Sequence, residues 1–478
     1  MLNATRRLLA VQEALAPAVS DKTQTTSPIS PAQSTSISLS FLLPDNARVG
    51  VQHPDEGTLE RTSVVTLNGT TIGEFGRTRG NTLLARLTPT ALGTPFEGRA
   101  HHVPEYPVLE IAPPCSSDGF AVSDLWAVIY ALFVLYHEQE HIPIVFSERI
   151  RDIGVLSDYI LSSGLGQTQT QTDEGSASTP FDSRKILFLS RMAFWQGAGT
   201  VGFHRRGWLA PINAGSIASA SSTAPPSTIP FPYTPSFTRN DLVIAAHPLR
   251  PPKPQPGELL YRRYCPSVGM MLEFHHFCLE DTGPSPLRHL EAFHRWHNNP
   301  RVNAGWGESG TLEYHREYIQ KILSNPAVLP VMMSWNGELM GYLEFVWVKE
   351  DHLAPYIGNG EGGTQARDWD RSLHILVGED HFTGKKFCAS PFSLVLPLLL
   401  LRPPLFSAAA WLSSCMHYLF LADPRTDRVV AEPKATNAGA VQAVLNAGMH
   451  AQTIFDFPYK RSMLMLLPRE RFFKLDLL

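Results

Sequence analysis

A histidine stands inside an apolar run of the C-terminal half, ahead of a loop that carries a glycine and two lysines. Residues 373–377 read Leu-His-Ile-Leu-Val around His374, and Gly384, Lys385 and Lys386 follow. An imidazole titrates near neutral pH and can move protons in catalysis, and glycine with lysine ahead of a helix suits a phosphate group. Taken alone, such a histidine is more often a core residue, and such a loop is more often an exposed turn. The stretch predicts a strand that leads into a candidate site.

The composition bounds the size and the partners of the protein. With 478 residues the chain exceeds one ordinary domain, and its 43% apolar share is ample for packed cores. Charged residues make up 18% and the formal net charge is -4, so we expect no nucleic-acid partner. The five cysteines are scattered and form no Cys-x-x-Cys pair, which argues against a disulfide framework or a thiolate zinc site.

The termini and the longest apolar run favour a cytoplasmic protein. Residues 1–20 contain arginines but no long apolar core, so they make a poor secretory signal. Three further prolines and an arginine break the apolar run after Pro391, so we expect no membrane span and no membrane partner. The chain ends in Asp-Leu-Leu, which is not a peroxisomal ending of the Ser-Lys-Leu type.

Low-complexity segments divide the chain into two halves. Residues 166–180 and 213–235 are rich in Ser, Thr, Gln or Pro and poor in large apolar side chains, so we expect disordered inserts there. The proline cluster at 247–258 predicts an interdomain linker. We therefore expect an unassigned N-terminus at 1–35, a first domain at 36–250 that contains both inserts, and a second domain at 258–478.

The two halves share a pattern that suggests an internal duplication. Each has two strand-like runs joined by Asn-Gly, at Asn68 and at Asn336, which predicts a β-hairpin. A further apolar strand follows each hairpin at a similar distance and carries Glu110 in the first half and His374 in the second. Hairpins are common, so this similarity alone is weak evidence for a duplication. If the duplication holds, the N-terminal copy is degenerate and structural.

The second half predicts a mixed α/β domain with a recognisable order of elements. Two helices, an antiparallel hairpin, a strand with a loop and a helix, a strand with a short helix and a last strand follow one another. The short helix opens with Asn437, has Ala440 three residues later and has Gly448 eleven residues later. This order and spacing resemble the GNAT acyl-CoA N-acyltransferase fold. In many members a tyrosine at the position of Val444 protonates the leaving thiolate, so this chain departs from the family there.

Several longer strings narrow the resemblance to the siderophore branch of that family. The strings are HRWHNNPRV (294–302), GYLEFVWVKED (341–351), LHILVGE (373–379), HYLFLADPRTDRVVAEPKATN (417–437) and FDFPYKRSMLMLLPRERFF (455–473). They look like the hydroxylysine acetyltransferases of aerobactin type and the fungal N5-hydroxyornithine acyltransferases, whose members join two GNAT-like domains. The resemblance implies transfer of an acetyl or larger acyl group from acyl-CoA to N5-hydroxyornithine. Peroxisomal members exist, which leaves the localisation open.

The resemblance also implies roles for individual residues. His374 would be the general base and Asp423 its partner, and backbone groups of the strand near Val377 would stabilise the oxyanion. The expected CoA-binding residues are Leu376, Val377, Gly378, Gly384, Lys385, Lys386 and Asn437. The expected substrate-binding residues are Trp306, Glu344, Lys349, Asp351 and Asp370.

Three alternatives and two further expectations complete the interpretation. The acceptor could be hydroxylysine or another amine, and both halves could be degenerate and only bind acyl-CoA. Asp423 also fits an ordinary Asp-Pro turn. The eighteen histidines include His294 and His297 on one predicted helix, but no histidine spacing with a nearby acidic ligand is convincing, so we expect no catalytic metal. The oligomeric state is not readable, and a homo-oligomer is compatible with the sequence.

Overall fold

The computed structural model of the chain describes residues 38–53, 62–77, 84–85, 87, 105–168, 186–200, 203–209, 235–239, 243–279, 288–358, 365–383, 405–475 and 477–478. Among these, the residues up to Gly207 form one compact unit and those from Trp208 to Leu478 form a second. The N-terminal region at 1–35 and most of the two predicted inserts lie outside the described residues. The first three residues of one insert, Gly166–Thr168, form a short strand.

The first unit is an eight-stranded sheet with three helices and a separate two-stranded ribbon. In chain order its elements are β1 (Ser38–Leu42), β2 (Arg48–Gln52), β3 (Thr62–Leu67), β4 (Thr70–Arg77), β5 (Leu84–Ala85), β6 (Tyr106–Pro107), β7 (Leu109–Ala112), α1 (Val122–Leu135), β8 (His141–Phe146), α2 (Ile153–Ser162), β9 (Gly166–Thr168), β10 (Leu187–Ser190) and α3 (Arg191–Trp195). The sheet order is β1-β2-β3-β4-β7-β8-β10-β9, and β5 pairs with β6.

The second unit is built on another eight-stranded sheet and also carries a separate hairpin. Its elements are β11 (Pro235–Arg239), β12 (Ile244–Pro248), β13 (Leu259–Cys265), β14 (Met270–His276), α4 (His289–His297), α5 (Pro300–Trp306), α6 (Leu312–Ser324), β15 (Val328–Trp335), β16 (Glu338–Trp347), β17 (Arg371–Val377), α7 (Leu405–Ala422), β18 (Arg428–Ala431), α8 (Ala438–Asn446), β19 (His450–Asp456), β20 (Arg461–Pro468) and α9 (Arg469–Lys474). The sheet order is β13-β14-β15-β16-β17-β18-β20-β19.

The two large sheets have the same topology, which confirms the expectation of two related α/β domains. In each, the fifth and sixth strands pair in parallel, β7 with β8 and β17 with β18, and the other neighbouring strands are antiparallel. The Asn-Gly pairs form the predicted turns, with positive φ at Asn68 and Gly69 and at Asn336 and Gly337. A register shift follows each turn at the same place, so the halves share their irregularities as well.

The parallel pair at the centre of each sheet differs between the two units. In the first unit β7 and β8 stay paired from Leu109 to Ile111. In the second unit β17 and β18 pair only at Arg371 and Ser372, although β17 continues to Val377. The two strands therefore part before His374 and leave a gap in the middle of the sheet.

Helices cover both faces of the second sheet because its central strands carry apolar residues on both faces, as in the nearly continuous buried run of β16. On one face, Tyr342 and Leu376 pack with Phe293 and Trp296 of α4 in a buried core cluster. On the other face, Phe345 lies with its ring centroid 5.1 Å from that of Tyr418 of α7. Successive strand residues point to opposite faces, so Glu344 lies on the α4–α6 side.

The proline-rich segment expected to be a linker packs closely against the second unit. Arg250 is buried, forms an ion pair with Glu350 and lies over the ring of Trp347, 4.4 Å from its centroid. Lys253 Nζ donates to the backbone carbonyl oxygens of Ile322 and Leu323 at the end of α6. Charged side chains inside the segment thus attach it to the domain.

None of the helices in the described part of the chain combines the length and the apolar character that crossing a bilayer requires.

Close packing of α4 against the end of β17 yields a prediction about stability. A Cβ added to Gly378 would lie 2.1 Å from the Trp296 ring, whereas a Cβ at Gly305 in α5 would meet nothing within 4 Å. We expect Gly378→Ala to lower the free energy of unfolding by about 1–3 kcal/mol through overpacking. Gly305→Ala, the matched control, should leave it unchanged or raise it by about 0.4–1 kcal/mol. Urea unfolding of both variants measures this, and equal stabilities would contradict the packing.

Candidate active site

His374 lies where β17 and β18 separate, on the sheet face covered by α4–α6. Its side chain keeps 26% of its surface exposed, although it belongs to a central strand. Antiparallel pairing places Glu344 of β16 directly opposite it. The gap between the strands therefore gives an imidazole access to solvent at a position that a closed sheet would bury.

Glu344 is a buried carboxylate whose two oxygens are both bound. Its Oε2 lies 3.1 Å from Nδ1 of His374. Its Oε1 accepts hydrogen bonds from the hydroxyl of Tyr318 on α6 at 2.9 Å and from that of Tyr342 on β16 at 3.0 Å. The two phenols and the imidazole thus fix both the position and the ionised state of Glu344.

Glu432 is the second carboxylate at His374, and it follows the last residue of β18. Its Oε1 lies 3.6 Å from Nε2 of His374, and Nζ of Lys460 lies 3.3 Å from the same oxygen. Only 6% of the Glu432 side chain is exposed. His374 therefore has a carboxylate at each ring nitrogen, and Lys460 adds a positive charge on the far side of Glu432.

The charges of this cluster shift the ionisation of its members. Burial would lower the pKa of His374, but the hydrogen bonds and negative charges of Glu344 and Glu432 outweigh it and raise that pKa well above its usual value. Burial acts against the charged form of Glu432, but His374 and Lys460 hold its pKa at about 2. The pKa of Glu344 is also lowered, against the effect of burial, by His374 and the two tyrosines. The two carboxylates therefore favour the protonated, imidazolium form of His374.

A second chain of hydrogen bonds lines the same gap. Asp351 Oδ1 lies 3.1 Å from Nδ1 of His352, and Nε2 of His352 lies 2.8 Å from the hydroxyl of Tyr459. The ring centroids of His352 and His374 are 6.4 Å apart. The Tyr459 ring stacks on Phe457. Polar side chains from the segment after β16 and aromatic rings from the β19–β20 turn thus lie beside His374.

The structure places three of the expected site residues in other interactions. Asp423 forms a bidentate pair with Arg425 in its own turn, at 2.8 and 2.6 Å, so the carboxylates at His374 are Glu344 and Glu432 instead. Asp370 is fully buried and pairs with Arg428. Lys349 pairs with Asp368.

The expected substrate residues Trp306, Glu344 and Asp351 lie around His374 or its neighbours. The Trp306 ring lies with its centroid 5.9 Å from that of Tyr342, whose hydroxyl binds Glu344. Asp351 belongs to the chain that ends at Tyr459.

The expected CoA-binding residues have definite places as well. Leu376 is buried in the core on the α4 side. The carbonyl oxygens of Val377 and Gly378 accept hydrogen bonds from Arg301, and the Gly378 amide donates to Met340, so that amide is engaged within the protein. Asn437 caps α8 by accepting from the amide of Ala440. Gly384, Lys385 and Lys386 lie outside the described residues.

Four site residues were missed from the sequence: Glu432, Lys460, His352 and Tyr459. Glu432 comes two residues after Val430, which pairs in parallel with Ser372. Continuing that register brings Glu432 beside His374, but the register is not visible in the sequence. The Val444 position, where the resemblance implied a departure, is buried and holds no phenol.

The first unit lacks the cluster at the corresponding positions. Counting from the Asn-Gly turns, Gly76 corresponds to Glu344, and Glu110 pairs opposite Gly76 as His374 pairs opposite Glu344. Val145 pairs with Glu110 where the second unit has Glu432. The N-terminal sheet thus has neither the imidazole nor its two carboxylate partners, as expected for a structural copy.

In the described residues no group of three or more His, Cys, Asp or Glu side chains is arranged to hold a metal ion.

Comparisons with known proteins agree with the acyltransferase fold that the order of elements predicts. A family model described as an acetyltransferase (GNAT) domain matches residues 285–408 and 405–457. The acyltransferase ato1 of Omphalotus olearius is 33% identical over 368 residues, which cover 76% of this chain and 80% of that protein. The hydroxyornithine transacylase SID3 of Ajellomyces capsulatus is 33% identical over 353 residues, covering 74% and 72%.

A third relative has a name that specifies both substrates. It is the N(5)-hydroxyornithine:cis-anhydromevalonyl coenzyme A-N(5)-transacylase SIDF of Beauveria bassiana, 36% identical over 292 residues. The match covers 60% of this chain and 57% of that protein.

The raised pKa of His374 predicts how stability depends on pH. A histidine whose pKa is higher in the folded state stabilises the fold fully below its unfolded pKa, ~6.5, and this contribution is lost as pH rises through the folded value. We expect His374→Gln to be less stable than the unmodified chain by about 3 kcal/mol at pH 6, since two buried carboxylates lose their partner. The difference should shrink as the pH rises toward 9.

Urea unfolding at several pH values measures this difference. His381→Gln is the matched control, because His381 forms an exposed pair with Glu338 and should change stability by less than about 1 kcal/mol. A His374→Gln deficit that grows with pH would contradict the imidazolium assignment.

Proposed function

The chain belongs to the GNAT acyltransferase family, and from that premise we propose that it transfers an acyl group from acyl-CoA to the side-chain nitrogen of N5-hydroxy-L-ornithine. The product is a hydroxamate, the iron-binding group of a siderophore. The observation that carries the proposal is the position of His374 between the carboxylates of Glu344 and Glu432 at the gap in the sheet. Relatives at about one-third identity are named as hydroxyornithine transacylases, which supports this acceptor.

The gap between β17 and β18 suits the acyl-CoA arm. Beyond Ser372 the described residues supply no strand partner on the β18 side of β17. A pantetheine arm carries amide groups and can hydrogen bond to such a free strand edge, much as an added strand does. In this proposal the thioester carbon binds near His374, within reach of a nucleophile on the α4–α6 side.

The charges around His374 suit a neutral nucleophile. Glu344, Glu432, His374 and Lys460 together carry no net charge, since two anions face two cations. A hydroxylamino nitrogen is a weak base that stays unprotonated at neutral pH, so it needs no activation before it attacks the thioester. The cluster acts later, when the nitrogen of the tetrahedral intermediate must lose its proton.

The acyl group and the setting of the reaction belong to the same proposal. The printed name of the Beauveria relative specifies a branched acyl-CoA, and acetyl-CoA is the smaller candidate for this chain. We propose a cytoplasmic enzyme that acts on small molecules, with hydroxylysine as the alternative acceptor.

The proposal predicts acceptor-dependent release of CoA. With acetyl-CoA or a branched C6 acyl-CoA, N5-hydroxyornithine should give both free thiol and the ferric-hydroxamate colour. Ornithine should give neither, and N6-hydroxylysine should react more slowly. Thiol release with ornithine but without colour would contradict the proposed acceptor, and CoA binding without any turnover would favour a binding protein.

His374→Ala tests whether the cluster performs this reaction. We expect turnover to fall by about 10²–10⁴, since the variant removes the charge that organises the two carboxylates. His450→Gln, an exposed change on β19, is the matched control and should retain full turnover. Equal activity of both variants would show that the chemistry takes place elsewhere.

A further inference from the structure

Both ring nitrogens of His374 face carboxylates, which bears on its role in proton transfer. Nδ1 lies at Glu344 and Nε2 lies at Glu432. A neutral imidazole has one N–H and one lone pair, so it would turn that lone pair toward a carboxylate oxygen. An imidazolium donates from Nδ1 to Glu344 and keeps its N–H and positive charge at Nε2, 3.6 Å from Glu432, but it has no lone pair left to accept a proton.

The two carboxylates differ in which of their oxygens already have a donor. Glu344 uses Oε1 for two phenols and Oε2 for His374, and it is buried beneath Tyr318 and Tyr342. In Glu432, both the His374 ring and the Lys460 ammonium group lie next to Oε1. No donor in the described part of the chain binds Glu432 Oε2.

We propose that Glu432, and not His374, accepts the proton of the attacking nitrogen, while His374 stays an imidazolium that positions Glu432. This inference rests on the proposed acyl transfer and identifies one of its catalytic residues. Lys460 and His374 both lie at Oε1, and among the described residues Oε2 has no donor, so Oε2 is the oxygen we assign to the proton. Glu344 anchors His374 from the other side.

The proton and the electrons balance in each step. The nitrogen lone pair forms the new C–N bond while the carbonyl π pair moves to oxygen, and the nitrogen becomes positively charged. Glu432 Oε2 then takes the N–H proton. The oxyanion pair re-forms the carbonyl as the C–S bond breaks, and the thiolate receives the proton from the carboxylic acid. The net result is one N–H and one thioester converted into one hydroxamate and one thiol.

A weakly basic carboxylate suits a hydroxylamine better than an alkylamine. The hydroxyl group withdraws electrons from the nitrogen, so the protonated nitrogen of the intermediate gives its proton to a carboxylate more readily than a protonated alkylamine nitrogen does. An alkylamine reaches the site as an ammonium ion. Taking a proton from that ion needs a stronger base than a carboxylate. The same residue that accepts the proton therefore selects for the N-hydroxylated acceptor.

Charged and titratable groups from every adjoining element surround His374 and Glu432. Glu344 and Tyr342 face His374 from β16, and Tyr318 faces Glu344 from α6. The turn after β16 contributes His352, and the β19–β20 turn contributes Tyr459 and Lys460. Besides His374, the described residues place the cation of Lys460 against Glu432, and Asp351 lies behind His352.

The pH profile of the unmodified chain tests the proposal without any variant. If Glu432 is the acceptor, it is ionised throughout, and kcat/KM should stay within about twofold between pH 6.5 and 8. If His374 were the acceptor, it would have to lose its proton first, and kcat/KM would rise about tenfold per pH unit over that range. A rising profile overturns the proposal.

Two substitutions supply an independent test. Glu432→Gln keeps the shape but removes the base, so kcat should fall by about 10²–10⁴ with little change in KM. Glu432→Asp keeps a carboxylate and should recover part of that loss, which a purely structural role would not predict. Glu313→Gln, an exposed change on α6, is the matched control and should retain full activity.

The variants also separate this proposal from the proposed function. Turnover of N5-hydroxyornithine by the unmodified chain reports on the function alone. Glu432→Gln with nearly full kcat would overturn the role of Glu432 while leaving the function intact. In His374→Gln, kcat/KM should be lower but still independent of pH. A kcat/KM that rises with pH in the unmodified chain and not in His374→Gln would also overturn the role of Glu432.

Discussion

An imidazolium between two carboxylates is the interaction on which the catalytic half of this chain depends. His374 comes from β17, Glu344 from β16 and Glu432 from the end of β18. Three neighbouring strands thus each contribute one side chain to the cluster. Each of these ions is costly to bury alone, and removal of one member of such a cluster typically costs about 3–5 kcal/mol. The phenols of α6 and β16 and the ammonium of Lys460 complete the arrangement. Strand register, helix position and the β19–β20 turn are thus all constrained by the same three side chains.

The N-terminal unit shows what the same backbone does without this cluster. Its strands follow the same order, its hairpin has the same Asn-Gly turn, and its parallel strands remain paired past Glu110. Gly76 and Val145 occupy the positions of the two carboxylates. Topology alone therefore requires neither the gap nor the charges, and both appear together in the half that carries His374. The gap exposes a strand edge to a ligand at the place where the charges can act on it.

Local patterns in the sequence predicted much of the fold, because an Asn-Gly turn or a capping threonine acts over a few residues. The two hairpins were confirmed in this way, and Thr311 caps α6 by accepting from the amide of Tyr314. Glu432 was missed because its place beside His374 follows from a parallel register between strands 58 residues apart. Asp423 and Asp370 were chosen by resemblance, and both are held by nearby arginines instead. The proline-rich segment at 247–258 was read from composition, which does not show that Arg250 would find a buried acid and an indole.

The charge state of His374 is the point on which the account can be tested most directly. Nitrogen-15 NMR of histidine-labelled protein, with His374→Gln used to assign the signal, distinguishes an imidazolium from either neutral tautomer. The account predicts that both nitrogens of His374 remain protonated at pH 7.5. A neutral ring at that pH would contradict it, since His374 would then have a lone pair and could accept the proton itself.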